Sequence, residues 1–91
     1  MEFIILDGGR MTSVEETHRY LARVLRLPAW YGGNLDALAD CLGELGRDVV
    51  VVLTGETALR QNLGDYADRL LAVFEEISAG PRAFRWMVAE D

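Results

Sequence analysis

The sequence predicts a small α/β domain, a three-stranded parallel sheet packed with four helices in the order β-α-α-β-α-α-β. Three observations lead there. Residues 3–6, 49–53 and 83–88 are short apolar runs of strand length. The stretches between them are long enough for the crossovers that parallel pairing needs. Those stretches carry apolar residues at helical spacing, punctuated by glycine and proline.

The first run, Phe3-Ile4-Ile5-Leu6, stops at Asp7-Gly8-Gly9, which reads as a buried strand followed by a hairpin-like turn. Ser13 and Glu16 have capping-box spacing. Thr17, Leu21, Val24 and Leu25 then recur at helical spacing, so a helix is expected over residues 14–26, ended by Pro28. After a loop over residues 27–33, Asn34 is a good N-cap for a second helix. Leu35, Leu38, Leu42 and Leu45 form its apolar stripe, and Gly46 is its expected stop, with Gly43 weakening the last turn. The run Val49-Val50-Val51-Val52-Leu53 is apolar on both faces, the pattern of a central strand in a sheet covered on both sides. A short helix is expected over residues 57–63. Asp65 is the candidate N-cap of a fourth helix over residues 66–79, ended by Gly80-Pro81. The last strand alternates in part and reads as an edge.

At 91 residues one domain, 1–91, is expected. A chain of this size buries roughly 60–65% of its unfolded surface, which leaves little room for an enclosed cavity. Half the residues are hydrophobic (51%), which excludes a disordered chain. Fifteen acidic residues against nine basic give a net charge of −6. That field disfavours nucleic acid and anionic membrane and favours a basic partner. No run reaches transmembrane length, and the apolar run after Glu2 is too short for an export signal. With a single cysteine, Cys41, the expectation is a cytoplasmic protein, monomeric when free. Cys41 reads as a small core hydrophobe. His18, the only histidine, has no second ligand nearby and reads as packed or capping; no metal or cofactor site is expected. Trp86 reads as core or as partly exposed edge.

The second helix carries the functional signal. Asp36, Asp40 and Glu44 recur every four residues and stack along one face, away from the leucine stripe. No arginine occurs between Arg26 and Arg47. Directly before this acidic ridge stand Trp30 and Tyr31, between Pro28 and two glycines. Tyr31 is expected to pack on the core, whereas Trp30 beside unpaired carboxylates has the character of an interface anchor. Catalysis by Asp36 and Asp40 as acid and base requires a cleft, which a convex helix face does not supply. No small-molecule substrate is expected.

The segment Leu27-Pro28-Ala29-Trp30-Tyr31-Gly32, continuing through Asn34-Leu35-Asp36-Ala37-Leu38 to Asp40-Cys41-Leu42, resembles the core segment of the barstar family. Weaker similarity runs from the first strand to the fourth helix. The resemblance implies an inhibitor that inserts this loop and helix into the basic active-site cleft of a small, extracellular-type, guanyl-preferring ribonuclease, in a 1:1 complex. Asp40 stands at the position that replaces a substrate phosphate, and Asp36 at a second carboxylate that pairs with an arginine. Glu76 matches an outlying acidic contact. Trp30 occupies the aromatic position that packs on the catalytic histidine. Gly32 and Asn34 match contacts to the nuclease rim. Ala39 and Leu45 stand in the same interface where large aromatics are common, and Gly33 replaces an acidic residue. Glu44 extends the acidic ridge. A second reading is a barstar-like interaction module for a basic partner that is not a nuclease.

Overall fold

The protein, seen as a computed structural model, is described over residues 1–89; the last two residues of the expected 1–91 span lie outside it. Three strands, β1 (Glu2–Asp7), β2 (Val49–Thr54) and β3 (Arg85–Val88), form one parallel sheet in the order β1-β2-β3. Helices α1 (Val14–Val24) and α2 (Leu35–Leu42) connect the first pair, and α3 (Glu56–Leu63) and α4 (Asp65–Ser78) the second. This is the expected element order, with β3 at an edge.

The expectation of a sheet covered on both faces is not met. Leu6, Val51 and Leu53 turn into a core shared with Leu21, Leu38, Leu42, Leu70 and Phe74. The alternate residues Phe3, Ile5 and Met87 are exposed, at 63%, 52% and 56%. The reason is topological. Crossovers between parallel strands are right-handed. Two crossovers of one hand that step in one direction place their helices on the same face. Covering the second face requires the strand order to reverse, as it does in doubly wound sheets, and here it does not.

Local chemistry sets the element ends. The Ser13 hydroxyl accepts from the Glu16 amide at 3.1 Å, one half of the predicted capping box. The Glu16 carboxylate meets Arg19 instead of turning back. Helix α1 stops at Val24, two residues early, because its end is a Schellman motif. The Leu27 amide donates to the Ala22 carbonyl and the Arg26 amide to that of Arg23. Arg26 takes the left-handed position of that motif at φ 55°, where a side chain costs about 1–2 kcal/mol. Arg26→Gly therefore raises stability by about 0.5 kcal/mol once glycine's greater unfolded entropy is subtracted, readable as a shifted urea midpoint.

Helix α2 also ends early, at Leu42, with Gly43 as its C-cap. The Glu44 amide donates to Cys41 and that of Leu45 to Leu42, so a tighter turn replaces the last helical turn. The leucine spacing pointed to Leu45, but glycine's poor helix propensity ends the helix first. Helix α4 is capped by Gly64 at φ 58° rather than by Asp65, which is its first residue. The turn after β1 is a short 3-10 segment, Gly8–Arg10, capped by Asp7, whose Oδ1 accepts from the Gly9 amide at 2.9 Å. It is not hairpin-like, since the chain runs on into α1.

That segment touches the β2–α3 turn so closely that a Cβ on Gly8 would lie 2.3 Å from the Gly55 carbonyl oxygen. Both sides of this contact are backbone, so relief requires the turn to move. Gly8→Ala is expected to destabilise by about 2 kcal/mol, measured by equilibrium urea unfolding.

Candidate functional site

The loop from Leu27 to Gly33 and helix α2 form one continuous surface. The Tyr31 amide donates to the Pro28 carbonyl at 2.9 Å, which turns the chain and puts Ala29 and Trp30 at its tip. Trp30 is 68% exposed. Its neighbour Tyr31 goes the other way and packs partly against the core, as expected. Asn34 caps α2, its Oδ1 accepting from the Ala37 amide at 2.8 Å. The cap fixes where the helix starts and hence which residues face outward.

Leu38, Cys41 and Leu42 are buried on one side of α2. Asp36 and Asp40 are exposed on the other, four residues apart and so about 6 Å along the axis. Ala39 is half-buried, and Gly32 is exposed. Glu44 is exposed on the turn beyond the helix end, so the ridge of three carboxylates is two on the helix and one past it. Leu45 is half-buried and packs against the core. Glu76 is exposed on α4, which packs alongside α2. Among the described residues the ion pairs involve Arg19 and Arg60 only. Asp36, Asp40, Glu44 and Glu76 have no such partner.

Under the loop lies a ring cluster. His18 is 4% exposed. Its Nδ1 contacts the Tyr31 hydroxyl, and its Nε2 contacts the Tyr66 hydroxyl at 2.6 Å. A neutral imidazole has one donor and one acceptor. One tyrosine therefore accepts from the ring and the other donates to it. The cluster ties the loop to α1 and α4 at once. Burial lowers the His18 pKa and raises those of Tyr31 and Tyr66, so all three stay neutral at neutral pH. Cys41 is buried beneath the acidic face, and its thiol is pushed up by burial and by the nearby Glu44 and Asp40, which keeps it unreactive. Trp86 is half-buried and stacks on Phe74 at 4.6 Å between ring centroids, which resolves it as a core contact.

Tyr66 is the member of this cluster that sequence reasoning missed. Nothing in its spacing pairs it with His18, and the contact spans 48 residues of chain.

A three-stranded parallel sheet, helices on one face, with a helix pair in each crossover, is the barstar-like α/β fold. The chain belongs to the barstar family: the family model described as Barstar (barnase inhibitor) matches residues 1–88. A curated relative from Bacillus subtilis (strain 168), named "Putative ribonuclease inhibitor YrdF", is 40% identical over 77 residues. That match covers 84% of this chain and 85% of the relative. Among the described residues no helix is long and apolar enough to cross a membrane.

Proposed function

We propose that this chain, as one domain, inhibits a small guanyl-preferring ribonuclease of extracellular type by filling its active-site cleft in a 1:1 complex. The observation that carries this reading is the exposed Trp30 beside Asp36 and Asp40, two exposed carboxylates without an internal cation. Family membership and the name of the Bacillus relative support it.

A cleft built to hold a polyanion concentrates positive charge. A helix with carboxylates one turn apart offers that cleft negative groups and no scissile bond. Asp40 takes the place of a substrate phosphate, Asp36 pairs with an arginine, and Trp30 covers the catalytic histidine. Gly32 and Asn34 meet the rim, and Glu76 adds an outlying contact from α4. The free, buried thiol of Cys41 suits a reducing compartment, so the inhibitor acts in the cytoplasm.

The direct test is titration of RNA cleavage by a panel of guanyl-preferring microbial ribonucleases. Cleavage is expected to fall to zero at one inhibitor per enzyme for at least one member. Unchanged cleavage across the panel overturns the inhibitor reading. The association rate is expected to fall about tenfold between low and high salt, as steering by opposed fields requires. A stopped-flow rate insensitive to salt would exclude steering.

A further inference from the structure

The bare sheet face holds the main concentration of exposed apolar side chains in the described chain. Of the large apolar residues that are exposed, Met1, Phe3, Ile5 and Met87 lie on this face or at its edge; Val88 shares the helix side with its partner Leu53, and Val14 and Trp30 lie elsewhere. Single exposed apolar residues are ordinary, but a contiguous group marks an interaction surface.

The strand register orders this face into two rows. Phe3 pairs with Val50, and Val50 with Arg85; Ile5 pairs with Val52, and Val52 with Met87. Val50 and Val52 lie outside the helix-side core cluster, as their alternation requires, though Val50 is itself buried at 4% and Val52 is half-buried between the outer strands. The only charged side chain among these six is a cation, in a chain whose net charge is −6.

We propose that this face pairs with the same face of a second copy of the chain, about a two-fold axis parallel to β2. Such an axis lays β1 of each copy over β3 of the other. Ile5 then covers Met87 of the second copy, and Arg85 sits over the Phe3 ring as a cation–π contact. The half-buried Val52 meets its own counterpart on the axis. Each off-axis contact occurs twice, which is the self-complementarity a two-fold interface demands. A two-fold axis across the strands sets Arg85 over Met87 and forfeits the aromatic partner, so the axis along β2 is favoured. No carboxylate stands at these six positions; Asp7, the next outward residue of β1, borders them with its Oδ1 held by the Gly9 amide. Helix α2 packs on the opposite side of the sheet, since Leu38 and Leu42 share the core with Val51 and Leu53. Both acidic ridges therefore remain open, and a dimer can hold two partners.

Three strands present a face about 14 Å wide, well short of the roughly 800 Å² per partner of a standard interface. The dimer is accordingly weak, with a dissociation constant on the order of 100 μM, and the chain is monomeric below micromolar concentrations.

Sedimentation equilibrium of the full chain tests this. The average mass is expected to rise from one chain toward two between about 10 μM and 1 mM, the range set by that dissociation constant. Ile5→Asp is expected to weaken association at least tenfold, and the exposed α1 control Val14→Asp to leave it unchanged. Met87→Arg serves as a second disruptive variant if Ile5→Asp fails to fold by circular dichroism. The axis is tested by mixing Ile5→Cys with Met87→Cys chains under mild oxidation. The mixture is expected to give a disulfide-linked pair that neither chain gives alone. A constant single-chain mass up to 1 mM overturns the proposal. So does equal association of the Ile5→Asp and Val14→Asp chains, or cross-linking of Met87→Cys with itself, which indicates edge-to-edge pairing of β3.

Discussion

Asp40→Ala is expected to weaken ribonuclease inhibition at least about thirtyfold, the factor that corresponds to a 2 kcal/mol hot spot, whereas Glu44→Ala is expected to change it less than about threefold, the effect of a rim charge. The two residues carry the same charge and are both exposed in the free chain. They differ in position. Asp40 lies on α2, one turn from Asp36, on a helix anchored by Leu38 and Leu42 and capped by Asn34. In the proposed complex it projects from a rigid element toward the place of a substrate phosphate. Glu44 lies past the Gly43 cap on a tighter turn, at the rim of the same surface. A charge pair that becomes desolvated in the complex is costly to truncate, because the partner cation is left buried and alone. A rim pair stays hydrated and screened. The Asp40→Ala loss is therefore expected mainly in the dissociation rate, and any Glu44→Ala loss in the association rate. Inhibition titrations and stopped-flow traces on the two variants separate these effects. Equal losses would mean that the ridge acts as a diffuse field, with no phosphate-like position in it.

The parts of the fold that follow from local chemistry were legible in the sequence. The three strands stood out as apolar runs stopped by Gly8, Gly55 and Pro81 on their flanks. The exposure of Asp36 and Asp40 followed from their spacing against the leucine stripe. Element ends were less legible, because Gly43 and Leu45 gave opposite signals and only the cost of glycine in a helix decided between them. The bare sheet face was not legible at all. The valine run of β2 is apolar on both sides whether or not helices cover both, and what decides coverage is strand order, a property of the whole chain. The His18 cluster escaped for a similar reason. It joins residues 13 and 48 positions apart.

That cluster carries the second large effect. His18→Ala is expected to destabilise the fold by about 3 kcal/mol, from the ring's lost volume and from two tyrosine hydroxyls deprived of their partner. His18→Gln keeps a donor and an acceptor and loses less. The same site predicts how stability depends on pH. Burial holds the folded His18 pKa below 6.5, its ordinary value. Between the folded value and 6.5 the unfolded chain binds a proton that the folded chain refuses. Stability from this residue is therefore complete above about pH 6.5 and falls as the pH drops toward the folded value, by at most about 1.4 kcal/mol per pH unit. Protonation also turns both ring nitrogens into donors, so the tyrosine that donated must redirect its hydroxyl. Of the charged groups nearby, Glu15 and Arg19 line the depression beside the ring but are paired with each other at 2.8 Å, and Arg69 lies over the Tyr66 ring. None of these offers the imidazolium a free carboxylate. Urea unfolding of the parent chain and of His18→Gln at pH 7.5 and 5.5 isolates the effect, since the carboxylates contribute to both chains alike. The stability advantage of the parent over His18→Gln is expected to shrink on acidification. An advantage that stays constant would mean that His18 does not titrate in this range in the unfolded chain or binds its proton equally well when folded. Because Tyr31 adjoins Trp30, the same acidification loosens the loop tip, and inhibition by the parent chain is expected to weaken in step with its stability advantage.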